Sequence, residues 1–409
     1  MGIQGFRYMG TKSKLCPKVS EIAQNLPEGA FLDVFSGVAS VSTELSKTRN
    51  VWANDAELLP YYIAKILFCS DESKIDHCNT LAKLENYYQE NRNELMLRFG
   101  NDLVIEYSVL SRSSHKGLTD LFLSHDHPGN SEQKENERRI LTSAPRAFPF
   151  QMFTMLYSNG YFSLLQSVEL DSIRYAIWKL RELGELSEAQ YQSSIVALCK
   201  SASICANTTG HFAQYLTPNE RNYQKLKKQL LRSIYDEFVQ ALNAIKPIGT
   251  KRWRNKNRAF HCDANSIFEE LEKQKKRPSV IYADPPYTGD QYSRYYHIFR
   301  TLILYDYPES AGKGRYPADR FRSSFSLKAE VKGSFKKLFN GVSDLNASLI
   351  LSYPDNGILE NSVEWIPDEL GNYFNNVKTE IIPYKHSTFG ASSGVAMNNV
   401  NEVIYAASQ

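Results

Sequence analysis

The sequence predicts an α/β fold in which a parallel sheet is interrupted by a mostly helical insertion. Three observations predict it. An apolar run at residues 30–34 (AFLDV) leads into Phe35-Ser36-Gly37-Val38-Ala39-Ser40, the pattern of a buried strand, a tight glycine turn and the start of a helix. A second short apolar run, residues 50–53, ends at Asn54-Asp55; strand, helix, strand in that order is a βαβ unit and implies parallel pairing. Runs of strand character then become scarce from about residue 71 to residue 258 and return beyond it.

Each element follows from these patterns. A helix is expected over residues 40–47 and another over 58–69. Within the insertion, LAKLENYYQENRNELMLRFG and YQKLKKQLLRSIYDEFVQALNAI carry long polar-helical texture, whereas residues 124–139 (SHDHPGNSEQKENERR) are polar throughout and are expected to form a surface loop. After the insertion, residues 279–283 (SVIYA) form a buried-strand run stopped by Pro285, and 347–352, 377–383 and 402–407 supply further strands. The chain is therefore divided into residues 1–75 and 259–409, two parts of one α/β unit, around an insertion at residues 76–258.

Composition narrows the class. At 409 residues the chain accommodates two or three domains. It contains no apolar run of about 18 residues, so no membrane-spanning helix is expected, and residues 1–14 lack the apolar stretch of a secretory leader. The six cysteines are scattered without a CxxC pair; neither a zinc site nor a disulfide framework is expected, and a reducing cytoplasm suits them. Net charge is only +3, but residues 201–258 hold 11 Lys/Arg against 3 Asp/Glu, and residues 311–337 hold 8 against 2. Such segments suit either a phosphate backbone or a solvated helix face.

The strongest chemical signal is Asp284-Pro285-Pro286-Tyr287, directly after a strand and so at the carboxyl edge where open α/β sheets bind ligands. An aryl amine such as adenine N6 is a poor nucleophile, because its lone pair is delocalised into the ring. Acceptors that draw on its two hydrogens free that pair. The Asp284 carboxylate and the Pro285 carbonyl, fixed by proline geometry, supply two, and Tyr287 offers a face on which an extruded base stacks. Upstream, Gly37 lets the backbone approach a ligand closely, with Phe35 and Ser36 beside it. The acid at Asp55 is placed either to hold ribose hydroxyls or to cap a helix. The lack of GxGxxG argues against a dinucleotide.

Together RYMGTKSKL (residues 7–15), DVFSGVAS (33–40), ANDAE (53–57) and YADPPY (282–287) resemble the motifs of the D12-class, Dam-like adenine-N6 DNA methyltransferases. The resemblance is close over residues 6–68 and 259–409 and loose over the insertion. It implies a Rossmann-like fold and S-adenosyl-L-methionine as cofactor, with double-stranded DNA as substrate. It implies cofactor contacts from Tyr8, Lys12, Phe35, Ser36, Gly37, Asp55, Asp263 and Asp284, and catalysis by Asp284, Pro285, Pro286 and Tyr287. It calls for no metal. GDQYSRYYH (residues 289–297) is similar to a stretch of the restriction–modification subset, with Tyr292 and His297 in register, so a cognate restriction endonuclease is a partner the resemblance allows. Residues 207–215 resemble part of the family's recognition region. One departure is that Ala39 stands where a second glycine is commoner. N4-cytosine enzymes more often carry Ser at the Asp284 position, so the acid favours adenine. An RNA adenine methyltransferase and a non-catalytic cofactor- and DNA-binding module remain as alternatives.

Other candidates carry less. His125 and His127 flank Asp126 in the polar segment without a third ligand nearby. His297 is expected to contact substrate or to serve the structure, since methyl transfer from a sulfonium needs no base in the transition state. Tyr305, Tyr307 and Tyr316 suit DNA stacking and core packing about equally.

Overall fold

The computed structural model describes residue 12 and residues 14–112, 114–124, 126, 128, 130–385 and 399–409. Helix α1 (Cys16–Gln24) leads into β1 (Phe31–Asp33), α2 (Ser40–Leu45), β2 (Val51–Asp55) and α3 (Leu58–Cys69). The insertion supplies α4 (His77–Arg98), α5 (Gly100–Ser111), α6 (His115–Ser124), α7 (Glu132–Ser143), α8 (Met152–Leu156), α9 (Leu164–Glu182), α10 (Glu188–Cys205), α11 (Tyr223–Leu230), α12 (Ile234–Ala244) and α13 (Lys251–Arg254). There follow β3 (Arg258–His261), α14 (Ile267–Lys273), β4 (Val280–Ala283), α15 (Tyr292–Leu304), β5 (Ser310–Ala311), β6 (Tyr316–Pro317), α16 (Val331–Asp344), β7 (Ser348–Pro354), α17 (Ser362–Leu370), β8 (Asn376–Lys385) and β9 (Asn399–Ser408).

Seven strands form one sheet in the order β3-β2-β1-β4-β7-β9-β8. The first five run parallel, and β9 lies antiparallel between β7 and β8. Strand β1 has β2 on one side and β4 on the other, so the chain leaves the centre of the sheet in both directions. That arrangement opens a crevice at the carboxyl ends of β1 and β4.

Both faces of the sheet are covered, which is why its central strands read as continuous apolar runs rather than alternating ones. Phe31, Val280, Tyr282, Ile350 and Ile404 pack on one face with α1, α3 and the insertion. Leu32, Ile281, Leu349, Leu351, Val403 and Tyr405 pack on the other with α14, α16 and α17. The insertion shares the first core: Phe150, Tyr161, Leu170 and Leu198 belong to the same cluster as Ile63, Ile66 and Phe68 of α3. Ser163 and Ser187 start α9 and α10 with reciprocal capping boxes closed by Gln166 and Gln190.

The segment expected as a polar loop, residues 124–139, is helical over its second half. Ser131 caps α7 by accepting from the Lys134 amide, and Glu132 and Glu135 occupy the first turn, where acids favour the helix dipole. Its Arg138 points inward and donates to the Tyr307 carbonyl at 2.8 Å. Polarity here reflects an amphipathic helix with a charged inner anchor. His125 and His127 lie outside the described residues. The two-residue strands β5 and β6 were also absent from the sequence reading; they are too short to show a period.

Candidate active site

Around the β1–β4 crevice a cavity of about 980 Å³, counting the part open to solvent, is lined by every described residue to which the resemblance gives a cofactor or catalytic role: Lys12, Phe35, Ser36, Gly37, Asp55, Asp263 and Asp284 to Tyr287. Tyr8 lies outside the described residues.

The turn after β1 forms one wall. Gly37 has φ +50° and Ala39 φ +61°, so two left-handed residues reverse the chain before α2. At Gly37 the conformation is free of a Cβ clash, whereas at Ala39 it costs about 1–2 kcal/mol. Ala39 is fully buried, and its carbonyl accepts the Thr43 amide at 2.9 Å. The missing second glycine is thus a real backbone position, filled by the smallest side chain that fits.

Asp55 ends β2. Its Oδ2 accepts from the Gly37 amide and its Oδ1 from the Glu57 amide, both at 2.9 Å. The N-cap of α3 is Glu57, with no side-chain cap bond, so Asp55 is not an ordinary helix cap. Burial raises its pKa to about 6, and the Glu57 and Gly37 amides hold it back from rising further. Next to it, Asn54 Nδ2 donates to the carbonyls of Val34 and Cys262, each at 3.1 Å, tying together the ends of β1, β2 and β3. Asp263 follows on that side, and its Oδ1 accepts from the Asn265 amide at 2.8 Å.

Asp284 leaves the end of β4. Its Oδ1 accepts from Ser352 Oγ at 3.0 Å and lies 3.2 Å from Lys12 Nζ. Ser352 shares a 2.8 Å hydrogen bond with the Tyr282 hydroxyl. Lys12 also donates to Glu402 Oε1 at 2.6 Å and sits 5.3 Å from the Tyr287 ring centroid, within cation–π range. Burial pushes the Asp284 carboxyl up, the Lys12 ammonium pulls it back and Glu402 raises it again, leaving it at about 6. Burial disfavours the charge on Lys12, but Asp284 and Glu402 outweigh it and raise its pKa.

Several cavity residues escaped the sequence reading. Asp33 was quoted in the glycine motif and not weighed as a site residue. Its Oδ2 accepts from Ser42 Oγ at 2.7 Å, and burial raises its pKa to about 7. Among the described residues its Oδ1 and the Ser36 hydroxyl have no hydrogen-bond partner. Glu57 also lines the cavity, and burial raises it to about 7. Phe321 and Ser323 reach the cavity from the loop after β6, fastened by Gln291, which accepts from the Ser323 amide at 2.7 Å and donates to its carbonyl at 3.2 Å. Ser352 and Glu402 do not line the cavity but reach it through Asp284 and Lys12; they come from β7 and β9, and only the sheet order brings them near β4.

Other candidates resolve toward structure. His297 is buried against the Phe212 carbonyl, 3.0 Å away, and burial lowers its pKa to about 3. Tyr305 and Tyr307 are core residues, the former donating to Asp171 at 2.6 Å. Asn207 donates to the Gly160 and Leu216 carbonyls. The basic stretches are not uniformly available to phosphate. Arg254 and Arg315 are internal, at 1% and 2% exposure, and bind main-chain carbonyls of Ser70 and Glu72 and of Leu156 and Ser158. Arg221, Lys225, Lys228 and Arg232, on and around α11, remain exposed.

A sheet of this order, with an antiparallel β9 and a ligand-sized crevice at its switch point, defines a Rossmann-like methyltransferase fold. Residues 8–352 match the model of the D12 class N6 adenine-specific DNA methyltransferases, and the chain belongs to that family. Type II methyltransferase M.FokI of Planomicrobium okeanokoites is 26% identical over 366 residues, covering 88% of this chain and 46% of the relative. Modification methylase LlaI of Lactococcus lactis subsp. lactis is 23% identical over 355 residues, covering 86% and 47%. The chain thus spans about half the length of these relatives. Against type II methyltransferase M.NlaIII of Neisseria lactamica it is 23% identical over 387 residues, with 92% of each chain covered.

Proposed function

We propose that this chain is a site-specific DNA adenine-N6 methyltransferase that uses S-adenosyl-L-methionine, acting in the cytoplasm as the modification enzyme of a restriction–modification or phage system. The observation that carries this reading is that Asp284, Pro285, Pro286 and Tyr287 share one cavity with the Gly37 turn and Asp55. The names of the relatives, all methyltransferases or modification methylases, support it.

The residues present fit the cofactor. Asp33 Oδ1 and Ser36 Oγ are buried polar atoms that lack hydrogen-bond partners among the described residues, and such atoms call for a polar guest. Asp33 suits the α-ammonium of a methionine moiety. Asp55 retains lone pairs for two ribose hydroxyls, and Phe35 and Asp263 flank the adenine. When bound, the cofactor supplies an electrophilic methyl group on a sulfonium. Asp284 Oδ2 and the Pro285 carbonyl accept the two hydrogens of the target amine and free its lone pair, while Tyr287 stacks on the flipped base. Positioning at about 3–3.5 Å and fixed dipoles then carry the acceleration.

Double-stranded DNA is the substrate of this reading. Residues 1–75 and 259–409 make the catalytic unit, and residues 76–258 carry the recognition of sequence. The exposed cations of the α11 region and of residues 313–337 grip phosphates, so affinity falls steeply with salt. A cognate restriction endonuclease is the companion expected in the cell.

The test is incubation with tritiated S-adenosyl-L-methionine and unmethylated DNA, beside Asp284→Ala. Label in N6-methyladenine with the wild type alone supports the reading. Label only with an RNA substrate moves it to RNA. Cofactor binding without transfer to either leaves a binding module, and no cofactor binding removes the reading altogether.

A further inference from the structure

Glu402 takes no part in the scheme above, yet it is fully buried in a strand whose following residues, Val403, Ile404 and Tyr405, are apolar core. It sits on β9 in register with Pro354 of β7. A carboxylate in such a place is costly unless it is paired. One partner is Lys12, at 2.6 Å, and the same ammonium lies 3.2 Å from Asp284. One lysine is thus shared by a fully buried carboxylate and a partly buried one, more than a hundred residues apart in sequence, and the three groups together carry a net charge of −1 when all are ionised. Among the described residues, the contacts of Asp284 with Lys12 and with Ser352 both fall on Oδ1.

We propose that Glu402 is a positioning residue for methyl transfer: it draws the Lys12 ammonium to one side, so that Asp284 serves the substrate amine as a full acceptor through Oδ2 instead of closing into a tight pair with a lone lysine. The proposal rests on the functional reading above. Its physical basis is twofold. An ammonium committed to one carboxylate at hydrogen-bond distance weakens that carboxylate as an acceptor. As the nitrogen–carbon bond forms, positive charge also moves onto the amine nitrogen, and a net negative triad beside it favours that displacement where a neutral pair does not.

Among the described residues, the titratable groups that face Asp284 are Lys12, Glu402, Asp33 and the phenols of Tyr282, Tyr287 and Tyr292. Burial raises all three phenols, which keeps them neutral, and the Asp33 charge tends to raise Asp284 as Glu402 does. Replacing Glu402 by a neutral isostere therefore removes a term that raises Asp284 and releases Lys12 toward it, and both effects move the Asp284 titration downward.

The experiment is a carbon-13 titration of cofactor-free protein labelled at the aspartate carboxyl carbons, with Asp284 assigned as the resonance lost in Asp284→Asn. In Glu402→Gln the midpoint should fall by about one pH unit, a differential interaction of about 1.4 kcal/mol; in Glu402→Asp, which keeps the charge but lets Lys12 move closer, it should fall by less. In parallel, Glu402→Gln should lower kcat on DNA about tenfold and leave KM for DNA within about threefold. An unmoved midpoint overturns the proposal, as does an unchanged kcat. A shifted midpoint in a protein that transfers no methyl to DNA leaves the triad standing and removes the functional reading instead. Should Glu402→Gln fail to fold, Glu402→Asp carries the question alone. Its shorter arm lets Lys12 swing toward Asp284, so kcat falls while the charge is kept, and a wild-type kcat overturns the proposal.

Discussion

The Gly37 amide donates to Asp55 Oδ2 at 2.9 Å, joining the turn after β1 to the end of β2 across the floor of the cavity. One carboxylate therefore shapes the glycine turn and also faces the ligand. Asp55→Ala should weaken binding of S-adenosylhomocysteine, the demethylated product, by about 10–100-fold, the range for losing one or two hydrogen bonds to a charged acceptor. Asp55→Asn should fall in between, because one of its two terminal groups is a donor and must face either the Gly37 or the Glu57 amide. Calorimetry with the product reads this without turnover. Wild-type affinity in Asp55→Ala would remove Asp55 from the ligand site.

Ala39 stands where φ is +61° and is fully buried. Ala39→Gly relieves about 1–2 kcal/mol of backbone strain but loses about 0.8 kcal/mol for a buried methyl and adds unfolded-chain entropy. The three nearly cancel, so stability should stay within about 1 kcal/mol. Ala39→Val adds a β-branched side chain to a left-handed position in a closed core, and it should cost more than about 2 kcal/mol. Thermal unfolding of the two variants separates the cases. A tolerated valine would mean that the turn relaxes freely.

Asp33 sets stability against binding. Burial raises its pKa from the ordinary 3.8 to about 7. A carboxyl raised in this way gives stability that is fully present below the unfolded value and is lost as pH rises through the folded one. Asp33→Asn removes the charge and so should raise the melting temperature of cofactor-free protein at pH 8, and raise it by clearly less at pH 5, early in the window between 3.8 and about 7. Comparing variant with wild type at each pH cancels His297, whose lowered pKa acts in the opposite direction. The same substitution should weaken cofactor binding at pH 8, where the ionised acid would meet the ammonium. Equal destabilisation at both pH values would contradict this account.

Much of this was legible in the chain, for reasons that particular residues make plain. β1, β2 and β4 are buried on both faces and are followed by turns with fixed chemistry, Gly37 after the first and Pro285 after the third, so local patterns reported them. Asp55 and Asp284 lie at the ends of those strands, where a local motif and a site coincide. Glu402 and Ser352 could not be read in this way. Each sits in a largely apolar strand, and its relation to Asp284 exists only through the order β4-β7-β9, which no local period encodes. α7 was missed because its charged sequence masks the inward Arg138, and Arg254 and Arg315 were counted as surface cations although carbonyl cages hold them inside. Composition reports how many charges there are; only the fold decides which of them face solvent.

Asp284 should give the reaction its acid limb. The carboxyl must be ionised to accept from the target amine, and burial, opposed by Lys12, leaves its pKa at about 6, so kcat should fall about tenfold per pH unit below that point. Asp284→Asn should lose kcat by at least about 100-fold and show no limb there. Ser352→Ala is the sharper probe. The Ser352 hydroxyl donates to Asp284 Oδ1 at 3.0 Å and pulls its pKa down, so its removal should move the limb upward by a few tenths of a pH unit and lower kcat at pH 8 about two- to fivefold. The shift is opposite in sign to the one expected for Glu402→Gln. A general loosening of the site would move both limbs the same way, whereas charge and hydrogen bonding acting on one carboxylate move them apart. A Ser352→Ala limb that stays put or moves down would show that Asp284 does not set it.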